Sequence, residues 1–224
     1  MRTRTPLIVL GAVAIVAAVV VALSTVNPVA APTSSPPGAS SSAAGSPGAP
    51  PVALWPAPPD AMARAVEAGL EPAPKEYSEN HVHAHLDVFV DGKPVVIPAG
   101  IGINIEDPEV HRFENPLEYG DIQLCAQACI SPLHTHDETG ILHTESSEAG
   151  SHTLGQFFTE WGLELSETCV ADKCDPATPI AVYVDGAAYD GDPAAIELTD
   201  MKVIVVVVGT PPPVIPSTAD FSAA

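Results

Sequence analysis

His134-Thr135-His136 and, shortly after, His143-Thr144-Glu145 bring three imidazoles and a carboxylate into one short stretch. Imidazole nitrogens and carboxylate oxygens are ligands for divalent transition metals, copper and zinc foremost. A second run, His81-Val82-His83-Ala84-His85, lies about fifty residues upstream. On a strand, alternate histidines share one face at about 6.5–7 Å spacing. Two such side chains can lean onto one ion at bond lengths of about 2.0–2.1 Å. A single His-x-His pair says little, since exposed strand histidines are common. Two runs together with His143 say considerably more.

The preferred ligands are His83, His85, His134, His136 and His143. His81, at the start of its run, reads as peripheral, and His111 and His152 read as ordinary histidines. Glu145 is a candidate ligand, or the general base of an enzyme. Asp137 has two readings: an acceptor that orients an imidazole, or a carboxylate that starts a turn.

These side chains need elements to position them. Pro132 to Glu145 reads as a hairpin whose loop is Asp137-Glu138-Thr139-Gly140. That loop length sets His134 opposite His143 and His136 opposite Ile141, and a one-residue change would turn His143 to the other face. His81 to Val90 alternates strictly, so Val82, Ala84, Leu86, Val88 and Val90 form one apolar face and the histidines lie on the other. Asp91-Gly92 is a tight-turn signal, returning through Lys93 to Ile97. Asp60 to Leu70 reads as a short helix with Asp60 as N-cap. Thr153 and Gln156 form a capping box ahead of a helix over 154–161, with Leu154, Phe157, Phe158 and Trp161 as its apolar stripe. Ile180 to Val184, Ala187 to Tyr189 and Ile196 to Leu198 read as strands, and Pro98 to Ile130 as mostly irregular. Val203 to Val208 is apolar on both faces, as a central strand must be.

Hairpin, insertion, helix and further strands in this order predict an α+β fold. It is a β-grasp-like mixed sheet with one main helix and an inserted His-rich hairpin. The strand at 81–90 should pair in parallel with 203–208, and the helix should cover the Val82/Leu86/Val88 face. The inserted hairpin is then the available cover for the opposite face, which would bring the two histidine groups together.

The N-terminal quarter has a different character. Arg2 and Arg4 precede an uncharged apolar run from Leu7 to Leu23, read as an uncleaved transmembrane signal-anchor over residues 1–26, in preference to a cleaved signal peptide. Residues 27–59, rich in Pro, Ala, Ser and Gly, read as a disordered linker. The extracytoplasmic globular domain spans 60–209, and 210–224 reads as a flexible tail. The positive-inside rule places the domain outside the cell membrane, anchored by a single pass.

Beyond Arg2 and Arg4, six Lys/Arg (8 − 2) face 28 Asp/Glu, a balance of −22. That charge argues against nucleic acid or anionic lipid as partners and slightly favours cation capture. Four cysteines in an exported chain read as two disulfides. The local pairs Cys125–Cys129 and Cys169–Cys174 are favoured because each falls in its own irregular segment. A copper–thiolate reading of Cys125-x-x-x-Cys129 is weaker, because the following histidine is one residue too far and no Met follows.

His-x-His-x-His-Leu-Asp-Val-Phe-Val-Asp-Gly at 81–92, Pro-Leu-His-Thr-His-Asp at 132–137, Thr-Gly-Ile-Leu-His-Thr-Glu at 139–145 and Thr-Leu-Gly-Gln-Phe-Phe at 153–158 resemble an uncharacterised family of exported or membrane-anchored bacterial proteins. The resemblance covers roughly residues 60–209. It implies shared architecture and a functional histidine cluster, and it supplies no activity.

Three functions are consistent with these residues. The first is a membrane-anchored extracytoplasmic module that binds copper or zinc and captures it or hands it on. The second is a zinc-dependent hydrolase or hydratase with Glu145 as base. The third is an acidic interaction domain, without metal, whose histidines sense pH. A carrier calls for a shallow, exposed site, an enzyme for a solvent-filled pocket beside the ligands, and a pH sensor for no convergent geometry.

Overall fold

Strand β1 (Asn80–Val90) is the longest element and the one on which the others converge. The computed structural model describes residues 53–222 apart from Asp121 and Ala149. The signal-anchor expected at 1–26 and most of the expected linker lie outside the described residues. Among the described residues no helix is long and apolar enough to cross a membrane.

The chain runs α1 (Ala61–Glu67), β1, β2 (Lys93–Val95), β3 (His111–Glu114), β4 (Leu117–Gly120), β5 (Leu133–His134), β6 (Ile141–Ser146) and β7 (His152–Thr153). It continues through α2 (Leu154–Glu160), β8 (Ile180–Val184), β9 (Ala187–Tyr189), β10 (Glu197–Leu198) and β11 (Lys202–Val208). This is an α+β fold built on a seven-stranded mixed sheet, with the path β5-β6-β1-β11-β8-β9 and β2 also paired with β1. The expected parallel ladder is present, with Ala84 opposite Lys202 and Val90 opposite Val208. On its other edge β1 is shared, by β6 along residues 80–85 and by β2 along 88–90. Asp91 and Gly92 both take positive φ, 48° and 74°, the geometry that a two-residue hairpin between twisted strands requires.

One sheet face carries the main core. Ala84, Leu86 and Val88 of β1 and Ile204, Val206 and Val208 of β11 pack with Leu154, Phe157, Phe158 and Trp161 around α2. The capping box is formed as expected: the Thr153 side chain accepts from the Gln156 N–H, and the Thr153 N–H donates to the Gln156 side chain. Such a cap contributes about 1 kcal/mol, and each fully buried large side chain about 1.5–3 kcal/mol. Asp60, by contrast, makes no side-chain cap to α1, and its carboxylate lies 3.6 Å from Arg64 instead. Trp55, within the expected linker, is buried edge-on against Trp161 and its carbonyl accepts from the Trp161 indole N–H. Ordered packing thus begins before Asp60.

The opposite face differs from expectation. The Pro132–Glu145 hairpin does not lie over it but joins the sheet edge-on, as β5 and β6 beside β1. The cover for Val203, Val205 and Val207 comes instead from Ile215, Ala219 and Phe221, in the segment expected to be a flexible tail. An apolar central strand demands cover on both faces, and the nearest chain that can supply it is the one that follows β11 itself. The expected short strand near Leu198 is present as β10, but it pairs with β7, outside the main sheet. The irregular span after Pro98 contains one hairpin, β3–β4, and a small second core around Ile103, Tyr119, Cys129 and Ile130.

Candidate metal centre

Pleating alone brings the two histidine groups together. In the β1–β6 ladder His81 faces Glu145 and His83 faces His143, and in the β5–β6 ladder His134 faces His143 from the other side. All five side chains therefore stand on the face opposite α2. The His134–His143 register is the expected one, and it places His143 at the middle of the group. Its ring centroid is 4.6 Å from those of His83 and His136 and 5.4 Å from that of His134.

The pairing of His136 with Ile141 does not form, because β5 ends at His134. His136 is held from elsewhere: its Nδ1 engages the Tyr119 carbonyl, and its own carbonyl accepts from the Tyr119 N–H at 2.8 Å. Between the two histidines, Thr135 is fastened to the 98–101 segment, donating its hydroxyl to Pro98 O at 2.8 Å and accepting from Ile101 N at 3.1 Å. Gly102 lets His134 pass, since a Cβ there would lie 2.3 Å from Leu133 O, at a φ of 72°. The Cys125–Cys129 disulfide closes the loop behind this segment.

Hydrogen bonding fixes the tautomers. His134 Nδ1 lies 2.9 Å from Ser131 O, and His136 Nδ1 faces Tyr119 O. A carbonyl only accepts, so in both neutral rings the proton sits on Nδ1. The two Nε2 atoms then present lone pairs to each other at 3.1 Å. Two facing lone pairs repel unless a cation lies between them, and backbone carbonyls behind Nδ1 are the usual orienting partners of metal-bound imidazoles. Donors around a tetrahedral ion with bonds of about 2.0–2.1 Å stand about 3.3 Å apart. The separation fits that spacing, as do His81 Nε2 to His83 Nε2 at 2.9 Å, His81 Nε2 to Glu145 Oε1 at 3.0 Å and His143 Nδ1 to Glu145 Oε1 at 3.5 Å.

Around the histidines, donor atoms within 4.8 Å of one another form two groups, His81/His83/His143/Glu145 and His134/His136/His143/Glu145; a third group, Glu164/Cys169/Cys174, has both its cysteines in a disulfide. Either histidine group can hold a metal ion. Burial keeps His83, His134 and His143 neutral and so ready to ligate. It lowers His83 to about 4, with His143 and His81 adding to the effect. His134, fully buried, is lowered well below the ordinary value by burial and then by His136 and His143. For His143 burial also outweighs the opposing Glu145 hydrogen bond. Burial would raise Glu145, but its hydrogen bond to His143 and the surrounding imidazoles overcome that and hold it below the usual carboxylate range. Neutral imidazoles around one carboxylate form a ligand set that need release few protons on binding an ion.

Two side chains lie elsewhere than expected. His85 lies outside both groups: its Nε2 is 3.0 Å from Thr139 O, its Nδ1 is 3.6 Å from Asp87 and its ring packs edge-on to Phe221. Its strand position is right, but its cross-strand partner is Ile141, not a histidine. His81, expected to be peripheral, belongs to the first group because Glu145 is directly opposite. Asp137 takes the turn role, accepting from Thr139 N at 2.9 Å and from Thr139 Oγ1 at 2.5 Å.

Cys125–Cys129 and Cys169–Cys174 are both disulfides and no cysteine among the described residues is free, so no thiolate reaches the site. Behind it, Glu160 of α2 is fully buried, and burial pushes its carboxyl up to about 8 against a small opposing effect of Ser131. Sequence reading missed this residue, although it follows Phe157 by three positions and so shares the buried side of the helix. Compared with protein-family models, curated proteins and solved structures, the chain matches none of them.

Proposed function

We propose that this chain is an extracytoplasmic metal-binding protein that captures copper or zinc through the histidine–glutamate cluster. The observation that carries this reading is the pair of carbonyl-fixed imidazoles, His134 and His136, whose Nε2 lone pairs face each other at 3.1 Å. The acidic balance of the chain supports cation capture. An apolar N-terminal run and the motif resemblance to exported or anchored proteins support a location outside the membrane, tethered through residues 1–26. The parallel β1–β11 ladder with one helix on one face supports the β-grasp-like reading of the scaffold.

The cluster is open on one flank, where the His81 side chain is 42% exposed, and closed at His134. The site is deeper than the shallow one expected of a carrier, but its open flank gives an ion a way in and out past His81. A second reading, hydrolysis or hydration at a metal with Glu145 as base, is favoured by a groove of about 540 Å³ whose wall includes Glu145, Tyr77 and His152. A metal-free pH sensor is disfavoured, since such a role needs no convergent donors.

The test is titration of the full chain, purified in mild detergent and stripped with chelator, with Cu(II) and Zn(II). Binding tighter than about 1 µM, weakened in His134→Ala, is the expected result. Binding no tighter than that for either metal would sink the proposal.

A further inference from the structure

Glu145 and His143 belong to both donor groups, whereas His81 and His83 belong to one and His134 and His136 to the other. The six side chains do not make one mutually close set, so no single ion takes them all. Each pair of private ligands is already set at ligand spacing, 2.9 Å for His81–His83 and 3.1 Å for His134–His136. A neutral imidazole offers one lone pair, so His143 completes one ion at a time. A carboxylate offers two oxygens, and Glu145 can serve both sides. Its Oε1 lies between His81 Nε2 at 3.0 Å and His143 Nδ1 at 3.5 Å. The His143 Nδ1 atom is buried against Glu145, a ligand atom aimed into the cluster.

We propose that the cluster is a dinuclear centre for two divalent transition-metal ions sharing the Glu145 carboxylate. One ion is held by His81 and His83 on the exposed flank, the other by His134 and His136 on the buried side. Carboxylate-bridged ions of this kind stand about 3.5–4 Å apart. This inference rests on the metal-binding reading above and specifies its stoichiometry. It also gives the two positions unequal access: the outer ion exchanges with solvent, while the inner is reached past it.

The experiment titrates the full chain in detergent with Zn(II), and separately with Cu(II) followed by electron paramagnetic resonance. Wild type should take up two equivalents, and two Cu(II) ions this close should give a half-field transition with loss of the ordinary signal intensity. His81→Ala/His83→Ala and His134→Ala/His136→Ala should each retain one equivalent and lose the half-field transition. Glu145→Gln should lose the half-field transition as well. One equivalent in wild type, with an ordinary isolated Cu(II) spectrum, overturns the dinuclear centre and leaves the metal-binding reading standing. No uptake overturns both. The wild-type stoichiometry and spectrum decide the matter even if a double variant fails to fold.

Discussion

His83 and His143 stand directly opposite each other across β1 and β6, their rings 4.6 Å apart at 83°. Because His143 is common to both donor groups, His143→Ala should weaken metal binding more than any other single histidine substitution. The loss should exceed the roughly 10–100-fold typical of removing an outer orienting partner. His85→Ala should leave affinity unchanged. Isothermal titration of the two variants checks the contrast, and equal losses would contradict the grouping.

Proton competition should be shifted to low pH. An ordinary imidazole protonates near ~6.5, whereas burial lowers His83 to about 4 and lowers His134 and His143 too. Metal should therefore be retained well below pH 6.5 and released toward pH 4. In the metal-free protein these groups are depressed on folding, so the unfolded chain binds protons first. Stability is then full above ~6.5 and falls as pH drops toward 4. Histidine ring resonances followed by NMR against pH would show it, and a His83 midpoint near 6.5 would refute it.

Gly102→Ala should damage the site from a distance. Its added Cβ would lie 2.3 Å from Leu133 O and 3.0 Å from the His134 Cβ, and its φ of 72° disfavours a side chain. The expected cost is about 1–3 kcal/mol in denaturant unfolding, with weakened uptake of the ion held by His134 and His136. Unchanged affinity and stability would show that the 133–134 backbone can yield.

Glu160→Gln should flatten a fall in stability that runs from about pH 4 to about pH 8. The buried carboxyl titrates at about 8 in the fold, above its unfolded value near ~4.3. Its stabilising contribution is therefore full below ~4.3 and lost as pH rises through 8, at about 1.4 kcal/mol per unit of separation. The variant should be the more stable at pH 8 and above, measured by urea unfolding at several pH values. Parallel curves would rule out a neutral Glu160.

Phe221→Ala should lower stability by about 1–2 kcal/mol, since this half-buried ring helps cover Val203, Val205 and Val207. The denaturation midpoint should fall while metal stoichiometry is kept. A midpoint unchanged from wild type would return the C-terminal segment to the status of a loose tail.

Much of this was legible because period and turn chemistry are local. Strict alternation from His81 to Val90 fixes which side chains face together, and the loop at Asp137 to Gly140 fixes His134 against His143. The Thr153/Gln156 box fixes where α2 starts. What was not legible depends on distant pairing. Whether the hairpin lies over the sheet or beside it is not encoded in the alternation of either segment. That choice decides that His81 meets Glu145 and that His85 meets Ile141. Beyond Val214 the C-terminal segment carries two large apolar side chains, Ile215 and Phe221, so its cover of the Val203/Val205/Val207 face becomes visible only when that face is seen to need one.

All six candidate ligands lie between His81 and Glu145, and β11 starts at Lys202, 57 residues later (202 − 145). A chain that emerges N-terminus first, from ribosome or translocation channel, thus presents its complete ligand set before the parallel partner of β1 exists. The antiparallel β5–β6 and β1–β6 ladders can close in that interval, while the β1–β11 ladder joins residues as far apart as Ala84 and Lys202 and must wait. An ion captured early would clamp β1 to β6 and shorten the effective loop that β11 later has to close. Metal supply during synthesis would then set how fast the domain matures, as well as what it carries afterwards.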